Sequence, residues 1–169
     1  MEISDFIQKV LIDGFKEIQQ EEKYPTISFY LICQGIEFLG ACLDANGFSA
    51  KGLGAPRFRR AIYDLFPESY HPFNRGSGQP FDLYEVLQNG LWHIVLPGSR
   101  LELIRRSEKE KLQANHLEIK EVRGIDRLVL VLEDLFDDYE KACKEIVSRI
   151  RDGRLSGWKF AGDSTSTKL

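Results

Sequence analysis

The chain has 169 residues, a formal net charge of −3, 43% hydrophobic and 29% charged residues. These are the proportions of an ordinary globular protein, with enough chain for one domain to bury a continuous core without disulfides or metals. The charge excludes a general electrostatic attraction to nucleic acid but leaves room for a local basic site.

Ile3, Phe6, Ile7, Val10, Leu11, Phe15 and Ile18 recur on one helical face, which predicts a long amphipathic first helix. This acid-containing start has no basic segment leading into an apolar run, so no secretion signal is expected. A charged stretch over 19–23 and Tyr24-Pro25 make a turn. Thr26 then caps a second helix running to about Ala45 and closed by Asn46-Gly47. This helix is almost wholly apolar, which places it at the centre of the fold. Gln34 and Glu37 are its polar exceptions. A carboxylate there needs a partner or a raised pKa, and two readings stand: a structural bond to Tyr, Trp or Arg, or a role beside His93.

The loop over 48–54 lacks the spacing of a phosphate-binding loop. Pro56 suits the first turn of a third helix, with Phe58, Ala61, Ile62, Leu65 and Phe66 as its buried stripe. Arg57, Arg59 and Arg60 project from its start, either as a solvated basic face or as phosphate contacts. Pro67 ends the helix, and 68–80 reads as a loop whose Tyr70, His71 and Phe73 either stack on bases or anchor the loop to the body.

Asp82-x-x-Glu85 is a capping-box variant opening a helix with Leu83, Leu87 and Leu91 on its buried face. Gly90 in mid-helix points to a close approach by another helix or a second copy. Asn89 and His93 are i,i+4 neighbours, and the amide can orient the imidazole. His93 reads either as a helix-end packing residue or as a general base whose pKa the helix C-terminus raises. Pro97-Gly98 stops the helix.

Alternation over 101–106 and 117–122 predicts two short strands, forming a two-stranded hairpin over about 100–122 with a long charged tip. Arg105, Arg106, Lys109 and Lys111 make its basic cluster. His116 has no metal-ligating neighbours at suitable spacing, and no metal or other cofactor is expected. Gly124 breaks the second strand, and Asp126 caps a last long helix with Leu128, Leu132, Leu135, Phe136, Tyr139, Cys143, Ile146 and Ile150 inward. The acids over 133–140 form its wet side, and it closes at Gly153. Residues 154–169 lack periodicity and read as a flexible tail. Cys33, Cys42 and Cys143 are an odd count without C-x-x-C spacing, read as reduced core thiols. Such reduced thiols lead to the expectation of a cytoplasmic location, and no apolar run approaches a membrane span, so no membrane partner is expected. The fold class is therefore mainly α: about five helices in a bundle over 1–153, with the hairpin inserted before the last.

The segment LYEVLQNGLWH, residues 83–93, resembles the signature helix of the HEPN superfamily. Asn89 falls at the family's polar position and His93 at its histidine. Gln88 stands where active members carry arginine. The resemblance implies a helical domain that pairs through this helix, over 82–93, as a homodimer. In active members two such motifs form a metal-independent ribonuclease site: the histidine helps deprotonate the attacking 2′-hydroxyl and the arginine stabilises the charged phosphorane. Glutamine supplies no cation for that charge, which argues against full activity. Three functions follow: a non-catalytic HEPN-like domain binding RNA or a partner protein, an endoribonuclease using His93 with an arginine borrowed from Arg57, Arg59 or Arg60, and a helical interaction domain unrelated to nucleic acid.

Overall fold

The computed structural model describes residues 1–20, 25–76, 78–87 and 100–155. Gln88, Asn89 and His93 lie outside the described residues, as does most of the predicted tail.

The first helix, α1, covers 3–20, but its middle, Ile7–Gly14, winds as a π-helix between Ile3–Phe6 and Phe15–Gln20. A hydrogen bond from Gln8 Nε2 to Asp13 Oδ1, 3.0 Å long, spans five residues, as this wider winding allows. The wider turn shifts the buried face: Ile7, Leu11 and Ile12 are buried, whereas Val10 and Ile18, assigned inward by a regular period, are each 38% exposed.

Helix α2, Pro25–Leu43, is the central element expected from its apolarity. It is long and apolar enough to cross a membrane by length and composition, unlike the sequence reading, but over half of that stretch is buried within the fold. Two glycines explain how closely it is packed. A methyl on Gly40 would collide with the backbone of Arg57 in α3, Gly54–Leu65, and one on Gly35 would collide with the Tyr139 ring of the last helix. Only glycine lets the backbone of α3 approach this far at Gly40, and the Tyr139 ring at Gly35. Between α3 and the next helix, Glu68–Phe73 forms a 3-10 turn rather than a free loop, with Tyr70 fully buried. Helix α4 is described over Leu83–Leu87.

The expected hairpin is corrected. Strands β1, Leu101–Ile104, and β2, Glu118–Val122, form as predicted but do not pair with each other. Each flanks a third strand, β3, Ile125–Val131, in the order β1-β3-β2, with β1 parallel and β2 antiparallel to it. The true hairpin joins β2 to β3 through Arg123-Gly124, both at positive φ, the conformation of a tight primed turn. What looked like a hairpin tip is a folded strap with a short helix α5, Lys109–Leu112. Asp126 therefore lies in a strand and caps nothing, and α6 begins later, Leu132–Arg151. Leu128 to Val131 form a continuous buried run, which by period alone merges with the helix that follows directly.

The mainly α class holds, with one large core joining α1, α2, α3, α4 and α6 to one face of the sheet. Ile104, Ala114, Val129 and Val131 form a second, small cluster beneath the strap.

The glycine contact predicts a selective cost. Gly40→Ala should lower unfolding free energy by about 3 kcal/mol or more, because backbone cannot yield as a side chain can. Gly14→Ala, which meets only the Lys9 carbonyl at 3.5 Å, should stay within about 1 kcal/mol of wild type. Urea denaturation of both variants checks this pair.

Candidate functional site

The site argued from the sequence centres on residues 82–93, and the described residues show how α4, at the start of that stretch, is held. Asp82 is fully buried. Its Oδ1 accepts the Glu85 backbone N–H at 3.2 Å, as an N-cap should, and a hydrogen bond from Arg59 Nη2 at 2.8 Å. Its Oδ2 accepts the Gly76 N–H at 2.9 Å, so the preceding loop is tied to the same carboxylate. Glu85 faces Arg59 across 3.9 Å. The Asp82 N–H donates to the Gln79 carbonyl, so the box is one-sided. The Arg59 guanidinium also lies 5.3 Å from the centre of the Tyr84 ring, and Phe58 packs on that ring at 5.5 Å.

Glu37 comes to the same region. A methyl on Gly54 would stand 3.0 Å from Tyr84 Oη and 3.1 Å from Glu37 Oε2, so both polar groups converge over this glycine at the start of α3. Glu37 Oε2 is shielded from solvent and has no hydrogen-bond partner among the described residues; the same holds for Gln34 Nε2, one helical turn earlier. Burial pushes the Glu37 carboxyl above the ordinary range, while the nearby Arg57 cation pulls it the other way. A structural bond from Glu37 Oε2 to a Tyr, Trp or Arg is absent among the described residues, and His93, the partner in the other arrangement, lies outside them.

The three arginines of α3 separate. Arg57 does not project as a basic face: it is 5% exposed, with Nε donating to Asp44 Oδ2 at 2.6 Å, Nη2 to the Gly47 carbonyl at 2.8 Å and Nη1 to the Phe48 carbonyl at 3.0 Å. The close approach at Gly40 sets its backbone beside α2 and sends its side chain to the loop that follows α2. Arg59 is bound by Asp82. Arg60 alone fits the solvated face, paired with Asp64 one turn on at 3.3 Å. The loop after α3 is anchored rather than splayed: the Asn74 amide donates to the Arg59 carbonyl at 2.8 Å, and His71 stacks on Tyr63 at 4.8 Å.

Three of the four basic-cluster residues, Arg105, Arg106 and Lys109, pair with the acidic run 25 to 31 positions away, while Lys111 is exposed and takes no part in these pairs. Arg106 Nη2 reaches Asp134 at 2.6 Å and Asp137 at 2.8 Å, Lys109 reaches Asp134 at 3.3 Å, and Arg105 reaches Glu133 at 3.5 Å. Burial pushes the Asp134 carboxyl up, but hydrogen bonds from Arg106 and Lys109 more than offset this and hold it below the ordinary range.

Sequence reasoning missed one polar cluster. His116 Nδ1 accepts the Val131 N–H at 2.9 Å, which leaves the proton on Nε2 to donate to Tyr70 Oη at 2.8 Å; the Tyr70 hydroxyl donates to Asp138 Oδ2 at 3.1 Å. These residues come from four separate segments, and no spacing in the chain announces them. Among the described residues, no group of three or more His, Cys, Asp or Glu side chains is arranged to hold a metal ion.

No family model, curated protein or solved structure matches this chain.

The raised Glu37 carboxyl predicts a pH signature. The folded state holds the proton more tightly than the unfolded state, so this group costs stability as pH rises through the ordinary carboxylate range and above. Glu37→Gln should be more stable than wild type at pH 7, with the advantage vanishing in acid, as thermal denaturation across pH would record.

Proposed function

We propose that the chain is a non-catalytic HEPN-like domain that pairs through helix 82–93 as a homodimer and binds a partner protein. The observation that carries the reading is the commitment of the three arginines that the sequence offers as substitutes, Arg57, Arg59 and Arg60. A ribonuclease lacking the motif arginine at Gln88 needs another cation for the developing phosphorane charge. Arg57 is spent on Asp44 and two carbonyls, Arg59 on Asp82, and Arg60 on Asp64. Releasing Arg57 would break its hydrogen bonds to Asp44 and to the Gly47 and Phe48 carbonyls, at a cost of about 3–5 kcal/mol typical of a broken buried pair.

The same bookkeeping favours a protein partner over RNA. Binding to a phosphate backbone draws on cations that are free to displace counterions. Here three of the strap's four basic residues, Arg105, Arg106 and Lys109, are matched by the acids of α6, on a chain whose net charge is −3. The convergence of Glu37 and Tyr84 beside the start of helix 82–93 then serves its positioning rather than acid–base chemistry.

Two measurements test this reading. Light scattering at increasing concentration should show a dimer, and Gly90→Arg should yield monomers with an unchanged helical circular dichroism spectrum. A panel of single-stranded RNAs in EDTA should remain intact with wild type and with His93→Ala. A strictly monomeric wild type would remove the pairing. Cleavage by wild type that His93→Ala abolishes would establish the ribonuclease, and tight RNA binding without cleavage would replace the protein partner with RNA.

A further inference from the structure

The strap over 105–117 is fastened in two ways. Its first half is held by charge, through Arg105, Arg106 and Lys109 on the acids of α6. Its far end is held by His116, whose ring is inserted between the Val131 N–H of β3 and the Tyr70 hydroxyl. Two non-glycine residues bracket that end in the left-handed region, Gln113 at φ 47° and Leu117 at φ 61°. Such backbone conformations are unfavourable for side-chain-bearing residues and persist only where other contacts enforce them. The strap thus closes over Ile104, Val129 and Val131, with Ala114 buried among them.

We propose that His116 is a proton-operated clasp: when its ring takes up a second proton, Nδ1 can no longer accept the Val131 N–H, and the strap end over 113–117 opens. The geometry requires a neutral ring, because a protonated Nδ1 would face an N–H donor at 2.9 Å. The groups around the ring pull in both directions. Burial disfavours the charged form and Lys109 adds to this, while Asp134 and Asp138 on α6 favour it; Tyr70 presents only its hydroxyl. Burial prevails, and the folded ring is pushed down to about 4 from an ordinary value of 6.5. An opened strap returns the ring to water and to that ordinary value. Neutral His116 thus stabilises the closed form fully above pH 6.5, and this is lost progressively as pH falls toward 4. The ion pairs of Asp134 persist through this window, because its carboxyl is held below the ordinary range. Opening is therefore confined to the strap's far end.

Amide hydrogen exchange, corrected for the intrinsic pH dependence, tests this on the full chain. Between pH 7.5 and 5, opening at the Val131, Leu117 and Ala114 amides should increase by about 30-fold. Amides in the middle of α2 should not follow. His116→Asn retains an acceptor near the Nδ1 position but does not titrate, and it should flatten the dependence. Equal pH slopes in wild type and His116→Asn would assign the effect to the carboxylates, including Glu118, which accepts the Asn115 N–H, and would overturn the clasp. NMR titration of the His116 ring in wild type decides the matter independently of the variant. A midpoint well below 6.5 supports the clasp, and an ordinary midpoint overturns it.

Discussion

Where Gly40 lacks a side chain, the backbone of α3 at Arg57 rests against α2, and much of the arrangement around the start of α4 follows from that contact. It fixes where the residues of α3 can reach. Arg57 turns toward the end of α2 and closes the loop after it through Asp44, Gly47 and Phe48. Arg59, two residues on, points to the other side and reaches Asp82. A buried carboxylate and a guanidinium would each be costly alone, so the pair is held together strongly even where its net contribution to stability is small. Through Asp82 that pair determines where α4 starts and ties down the loop at Gly76. The backbone contact at Gly40 thus positions the helix on which the proposed pairing depends.

Charge elsewhere is used for internal fastening. The strap's basic residues and the acids of α6 form a network rather than isolated pairs: Arg106 bridges two aspartates, and Asp134 receives two cations. Exposed pairs contribute little singly, so it is the shared geometry that holds the strap in register. On a chain whose net charge is only −3, pairing of this kind turns two conspicuous clusters into one fastening.

The helices were legible because long amphipathic periods survive changes of context. The caps were legible where one side chain performs the capping, as at Asp82. What was hidden depends on contacts remote in sequence. The π winding of α1 leaves its composition ordinary and alters only which face turns inward, exposing Val10 and Ile18. Strand β3 runs into α6 without a break, so Leu128 and Leu132 share a helical spacing although the first lies in a strand. Arg57 looks like an exposed arginine until the backbone of α2 is known to pass beside it. The clasp at His116 draws on Tyr70, Val131 and Asp138, and no local rule links them. The three residues of the HEPN resemblance, Gln88, Asn89 and His93, lie outside the described residues, and their chemistry rests on the sequence.

The central claim is the proposed pairing of two copies along residues 82–93 as the protein's working form. Its most direct measurement is the dipolar coupling between nitroxide labels, one per copy, at Gln79→Cys, an exposed position just before that helix. The three native cysteines are buried, so the label can be placed selectively. The account predicts a well-defined intermolecular distance that disappears with Gly90→Arg. A signal with no intermolecular coupling, at concentrations where the protein remains folded, would contradict it.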